Sequence, residues 1–229
     1  MMWENRAYHE AVQGYGKRDS FLALLIFLIL MLLLYGQGWL YTTNLPLSVM
    51  ASLNILTGLC SVGMAVPLVW LSGKRTLGLQ RRELGKSLAV GALLAVGLVG
   101  SLALVQGMVF DHALQVQWPS VLNMVIFFVG VLNEEIVFRG ILQTRLRGLI
   151  PWGWMCSILT AGLFLLSHYP VRWGVSGMID FSSVTGLHVC YILLLHFACS
   201  GVYRRTNCLW GAMLLHFVYN IGSGMLVFV

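Results

Sequence analysis

The stretch VLNEEIVFRGIL, Val131 to Leu142, puts two adjacent glutamates and an arginine into a run otherwise apolar enough to lie in a membrane. It decides the fold because charges are scarce everywhere else. Of the 229 residues 59% are hydrophobic and 10% charged, against roughly 25% charged in an average soluble domain, and the mean hydropathy is +0.83. Runs on both sides reach the ~20 apolar residues that carry a helix across a hydrocarbon core about 30 Å thick, and none alternates like a barrel strand. The expected fold is all-α. It is a polytopic transmembrane helical bundle, a single membrane domain over 1–229 with its motif-bearing core at 119–229.

Seven spans are expected: Phe21–Leu40, Leu47–Leu71, Ser87–Phe110, Pro119–Leu146, Trp152–His168, Val184–Tyr203 and Asn207–Val229. An eighth would follow if YPVRWGVSGMIDFSS (169–183) re-enters the membrane. Lys and Arg test the count independently, because they should alternate between rich and poor sides. Arg6, Lys17 and Arg18 precede the first span, Lys74, Arg75, Arg81, Arg82 and Lys86 follow the second, Arg145 and Arg147 end the fourth, and Arg204 and Arg205 follow the sixth. On the opposite side only Arg172 appears. This puts the N-terminus in the cytoplasm and the C-terminus outside a bacterial or archaeal cytoplasmic membrane. The first apolar run is too long for a signal-peptide core and lacks a small-residue cleavage site, so an uncleaved anchor is expected. GKRTLGLQRRELGK (73–86) reads as a short basic amphipathic element on the membrane surface.

The net charge of +6 is thereby explained by topology, and nucleic acid is excluded as a partner. The five cysteines show no CxxC spacing or disulfide framework, so buried free thiols are expected. His188 and His196 read as packing residues, His9 and His112 as loop residues.

An ionisable residue in a span costs several kcal/mol, roughly 2.5 to 3.5 by insertion scales, and needs a partner or a task. Glu135 and Arg139 are four apart with the carboxylate N-terminal, the favourable order for an ion pair on one helix face. Glu134 points about 100° away and has no such partner in its helix. It is the carboxylate left over for proton transfer. FLLSH ends on His168, one turn after Phe164, and HFVYN puts His216 and Asn220 on one face of the last span. A carboxylate, two imidazoles and a carboxamide on three spans are the parts of a hydrolytic site: a base for water, a second proton-handling group and donors for an oxyanion. Counting ~1.5 Å per residue from the basic ends, Glu134 lies roughly 17 Å deep, His216 roughly 14 Å, Asn220 roughly 20 Å and His168 roughly 24 Å. The first three agree, and His168 is too deep.

The trio EEIVFR (Glu134, Glu135, Arg139), FLLSH (Phe164, His168) and HFVYN (His216, Asn220), in that order on successive spans, resembles the CPBP family, the CAAX-protease and bacteriocin-processing group of intramembrane proteases also called Abi. SGVYRRTNCLWGAMLLHFVYN is similar to that family's approach to its last motif. The resemblance covers Asn123 to Asn220 and implies a peptide hydrolase working at membrane depth. It implies Glu134 as the general base for water, assisted by His168, with His216 and Asn220 stabilising the oxyanion and Glu135 with Arg139 holding the geometry. The partners implied are the lipid bilayer and a membrane-anchored protein or peptide cut near its anchor, such as a CAAX-like tail, a bacteriocin leader or a C-terminal sorting signal.

No cofactor is expected. The alternative is Zn2+ on Glu134, His168 and His216, disfavoured because HExxH is absent and Arg139 adds positive charge beside a cation. Two other classes compete with the protease: a proton-coupled transporter using the same residues as a relay, against which the lack of an internal repeat counts, and a non-catalytic immunity protein.

Overall fold

A computed structural model of the chain describes residues 4–71, 78–110 and 114–228. In chain order these form α1 (Arg6–Val12), α2 (Lys17–Tyr41), α3 (Leu47–Leu71), α4 (Leu84–Val109), β1 (Leu114–Val116), α5 (Val121–Glu134) running into a π-helix (Glu135–Leu142), the turns α6 (Gln143–Arg145) and Leu146–Gly148, then α7 (Gly153–Leu166), α8 (Pro170–Ser176), α9 (Gly186–Thr206), α10 (Trp210–Met225) and β2 (Leu226–Phe228). Each of the seven apolar stretches is helical. Five helical segments are long and apolar enough to cross a membrane, at 17–41, 84–109, 121–148, 153–176 and 186–206. α3 adds a shorter apolar stretch, Ser48–Met64, and α10 stops after 16 residues, where the chain extends to pair β2 antiparallel with β1. The protein is an all-α bundle carrying this one small ribbon.

Local chemistry sets the breaks. Ser120 and Thr185 cap α5 and α9 by accepting from the amides of Asn123 and His188, the first orphan donors of a helix. Pro170 lacks the N–H that would bond the Leu166 carbonyl, so α7 ends there and a second helical piece, α8, restarts. The segment expected as a re-entrant piece is thus α8 and the loop after it, and α8 lies on α2. A Cβ at Gly38 would stand 2.1 Å from the Val171 carbonyl oxygen, and one at Gly174 2.2 Å from that of Tyr35. α4 and α10 approach as closely: a Cβ at Gly91 would meet the Gly211 carbonyl oxygen at 2.2 Å, and one at Gly211 the Ser87 carbonyl oxygen at 2.0 Å. With no hydrophobic drive between helices in lipid, such small-residue contact is what holds them.

The end of the bundle that carries the basic loops is sealed. The N-terminal stretch forms α1, and His9 lies in that helix instead of a loop. Tyr8 packs edge-on against Tyr203 with ring centres 5.2 Å apart. Asn5 accepts from Ala7 N and bonds the last turn of α9 through Asn5 N to Arg204 O, 2.9 Å, and Asn5 Nδ2 to Arg205 O, 3.1 Å. Glu4 pairs with Arg204 at 3.0 Å. The expected amphipathic surface element is corrected where it is described: residues 78–83 are loop, tied down by Leu209 N to Gly78 O (2.7 Å) and Trp210 Nε1 to Leu79 O (3.1 Å). Lys74, Arg75 and His112 lie outside the described residues.

The α4–α10 contact yields a stability test. Gly211→Ala should cost about 1–3 kcal/mol through overpacking against Ser87. Gly97→Ala, where nothing lies within 4 Å, should be neutral or stabilising by up to about 1 kcal/mol through helix propensity. Thermal unfolding of the two variants in detergent checks this, and equal melting temperatures would remove the close approach as a constraint.

Candidate active site

Glu135 and Arg139 are both fully buried, and Arg139 Nη1 donates to Glu135 Oε1 at 2.9 Å. The i,i+4 pair forms as its spacing predicts, but inside a π-helix. There Gln143 N bonds Phe138 O, five residues back, and the Gly140 carbonyl is taken by Thr144 Oγ1 at 2.8 Å and Arg145 Nη1 at 3.1 Å. Two side chains thus bond one carbonyl of the widened turn, and π-helical irregularity of this kind recurs at functional sites.

Glu135 does more than hold Arg139. Its Oε1 also accepts from His216 Nδ1 at 2.8 Å, across 81 positions of sequence. That bond fixes the imidazole of α10 and leaves Nε2 on the far edge of the ring, where it stands 3.7 Å from Glu134 Oε2. His216 therefore sits between the two adjacent glutamates. Glu134 differs from its neighbour as expected: its side chain is 30% exposed, and its buried Oε2 has no hydrogen-bond partner among the described residues.

His168 lies in the turn just after α7. Its Nδ1 donates to Phe164 O at 2.8 Å, so the proton sits on Nδ1 and Nε2 carries the free lone pair. Glu134 is close enough to act electrostatically on this ring. His168, His216 and Asn220 line one cavity of about 510 Å³, and Glu134 borders it through His216. The cavity is elongated along α10, from His216 through Asn220 and Ser223 to Leu226. The Phe164 ring stands between the two histidines, 5.0 Å from His168 and 6.1 Å from His216, so the two imidazoles share the site despite the difference in counted depth.

Phe164 organises the aromatic side of the site. The Arg139 guanidinium lies 4.5 Å from its ring centre, a cation–π contact, and its ring stands edge-on to those of His168 at 5.0 Å and His216 at 6.1 Å. His196 behaves as the buried packing residue it was expected to be, with Nε2 3.3 Å from both Thr160 Oγ1 and Ser200 Oγ. His188 does not: it lines the cavity with its ring 6.5 Å from that of His168. Its signal was present in the spacing His188, Tyr191, Ile192, Leu195, one face of α9 with a polar member at the open end. Tyr191 and Tyr219, stacked at 6.2 Å, complete that wall.

The zinc alternative can be judged on donor placement. Among the described residues no three His, Cys, Asp or Glu side chains are grouped to hold a metal ion. His216 is engaged at Nδ1 by Glu135, and the guanidinium of Arg139 stands beside that carboxylate.

The imidazoles of His168 and His216 and the carboxamide of Asn220 thus line one cavity, with Glu134 3.7 Å from His216 at its edge. Residues 116–222 match a family model described as type II CAAX prenyl endopeptidase, Rce1-like, which agrees with the CPBP resemblance of the motifs and supports an intramembrane protease of the CAAX type. The matched segment is a little under half of the chain and contains all six site residues. No curated protein and no solved structure matches.

The geometry separates the two glutamates by stability. Glu135→Ala leaves Arg139 buried without its counter-ion and should cost about 3–5 kcal/mol. Glu134→Gln, at a partly exposed position with no hydrogen bond to lose, should stay within about 1 kcal/mol of the parent. Thermal unfolding in detergent reads both; comparable losses would mean that the two carboxylates share one structural role.

Proposed function

We propose that the protein is a metal-independent, glutamate-type intramembrane endopeptidase that cuts a membrane-anchored protein or peptide near its anchor. One observation carries the reading: His216 stands between Glu134 and Glu135 and shares a cavity with His168 and Asn220. In this scheme Glu134, whose Oε2 has no hydrogen-bond partner among the described residues, takes a proton from the attacking water, which the free Nε2 of His168 helps to orient, and returns that proton to the leaving amine nitrogen as the C–N bond breaks. The tetrahedral oxyanion is met by the Asn220 amide and by His216 carrying a proton on Nε2. Glu135 touches no reacting atom. It holds His216 through Nδ1 and is itself held by Arg139.

The sealed basic end favours hydrolysis over a relay, since a transport path would have to pass the buried Tyr8, Leu146, Tyr203 and Leu209. The motif is complete, which favours an enzyme over an inactive immunity protein. A CAAX-like tail, a bacteriocin leader and a C-terminal sorting signal are the substrate classes to try first.

Cleavage of membrane-anchored reporters bearing these segments, by protein reconstituted in liposomes, tests the scheme. Glu134→Gln should lower the rate by about 10²-fold or more, and Asn220→Ala should lower kcat by about 10²–10³ with KM little changed. Chelators should leave the rate intact. Normal cleavage by Glu134→Gln, or activity lost to a chelator and restored only by zinc, would overturn it.

A further inference from the structure

The cavity that carries His168, His216 and Asn220 has a direction. His216, the lining residue nearest the basic end, is about 9 Å along α10 from the start of that helix at Trp210. From there the lining runs the other way, through Tyr219, Asn220 and Ser223 to Leu226 at the start of β2. The remaining walls come from the same end of the bundle: Gln106 from the last turn of α4, His168 from the turn after α7, and Thr185, Leu187 and His188 from the start of α9.

Among the described residues, buried side chains fill the space behind His216. Leu146, Leu209 and Leu215 are no more than 1% exposed, Tyr8 1% and Tyr203 2%, and the 78–80 loop and α1 are hydrogen-bonded across them. Among the described Lys and Arg, only Arg139 in the site and Arg172 in α8 lie away from this end. At the open end Trp118, Met178, Ile179 and Phe181 are exposed by 72%, 68%, 75% and 58%, apolar and aromatic side chains of the sort that sit at a membrane border.

We propose that the site is entered from the face opposite the basic loops, which the positive-inside bias makes the extracytoplasmic face, and that it takes the outward border segment of a membrane-anchored protein in place of a tail on the basic side. Among the described residues no Asp, Glu, Lys or Arg lines the cavity. Its mouth offers Thr185, His188 and Ser223 beside the stacked Tyr191 and Tyr219. An uncharged segment with an apolar or aromatic residue fits these walls. That the occupant is a peptide rests on the proteolytic reading above; the side of entry stands on the cavity and the charges alone.

Cysteine accessibility tests the side. In a chain whose exposed Cys60 and Cys190 are replaced by alanine, Ser223→Cys and Leu187→Cys at the mouth and Arg81→Cys at the basic end are treated with a membrane-impermeant cationic methanethiosulfonate, in right-side-out and in inside-out vesicles. Both mouth cysteines should react about tenfold or more faster right-side-out, and Arg81→Cys should show the reverse, because the reagent needs a water-exposed thiolate. Two mouth positions guard against one variant failing to fold. Mouth cysteines that react only inside-out, that react from neither face while Arg81→Cys does, or that share a face with Arg81→Cys would each overturn the proposal. Adding Glu134→Gln should leave all labelling rates unchanged. Loss of the proteolytic reading would therefore appear in the cleavage assay and not here.

Discussion

A single carboxylate oxygen, Glu135 Oε1, joins the two halves of the site. It accepts from Arg139 in its own helix and from His216 in the last one, at 2.9 and 2.8 Å, with all three groups almost entirely withdrawn from solvent. Moving an isolated ion into such surroundings costs several kcal/mol, and the arrangement is tolerable only because opposite charge and hydrogen bonds answer it. The bond also fixes which nitrogen of His216 faces Glu134. Two neighbouring glutamates in sequence thus acquire different tasks through a ring supplied by a distant helix.

The rest of the bundle serves this contact. α10 can bring His216 to Glu135 because Gly91 and Gly211 let its backbone lie against α4, and because the loop after residue 77 pins its first turn. The π-helix gives the Glu135 segment its own shape, with Thr144 and Arg145 taking up the Gly140 carbonyl. Phe164 presents its ring to Arg139, His168 and His216 and its carbonyl to His168. One residue thereby ties the second histidine to the first charge pair.

This packing also makes the bundle asymmetric along its axis. Tyrosines, leucines and the capping residue Asn5 fill one end, while the other opens between α4, α5, α9 and α10 into the cavity that carries the polar residues. Water and a peptide must both reach a hydrolytic site, and one open end serves both while apolar helix faces exclude water elsewhere. The distribution of Lys and Arg follows the same axis, so charge and cavity point in opposite directions.

Much of this was legible in the sequence because it depends on local periods. Apolar runs of the right length gave the seven helical segments, the i,i+4 spacing gave the Glu135–Arg139 pair, and the angle between adjacent helical residues set Glu134 apart from it. Features that need side chains from remote parts of the chain were not legible. α1 was missed because its burial depends on Tyr203, and the role of His188 because one polar residue at a helix end looks the same whether or not a cavity lies beside it. The π-helix was missed because the side chains that bond its Gly140 carbonyl come after it and carry no pattern. The sequence by itself determined which stretches are helical and which residues share a helix face, since helix rise and pitch are fixed by the backbone. Only the tertiary structure decided that His216 would sit between Glu134 and Glu135 and at which end the cavity opens, because both follow from how separate helices pack against one another.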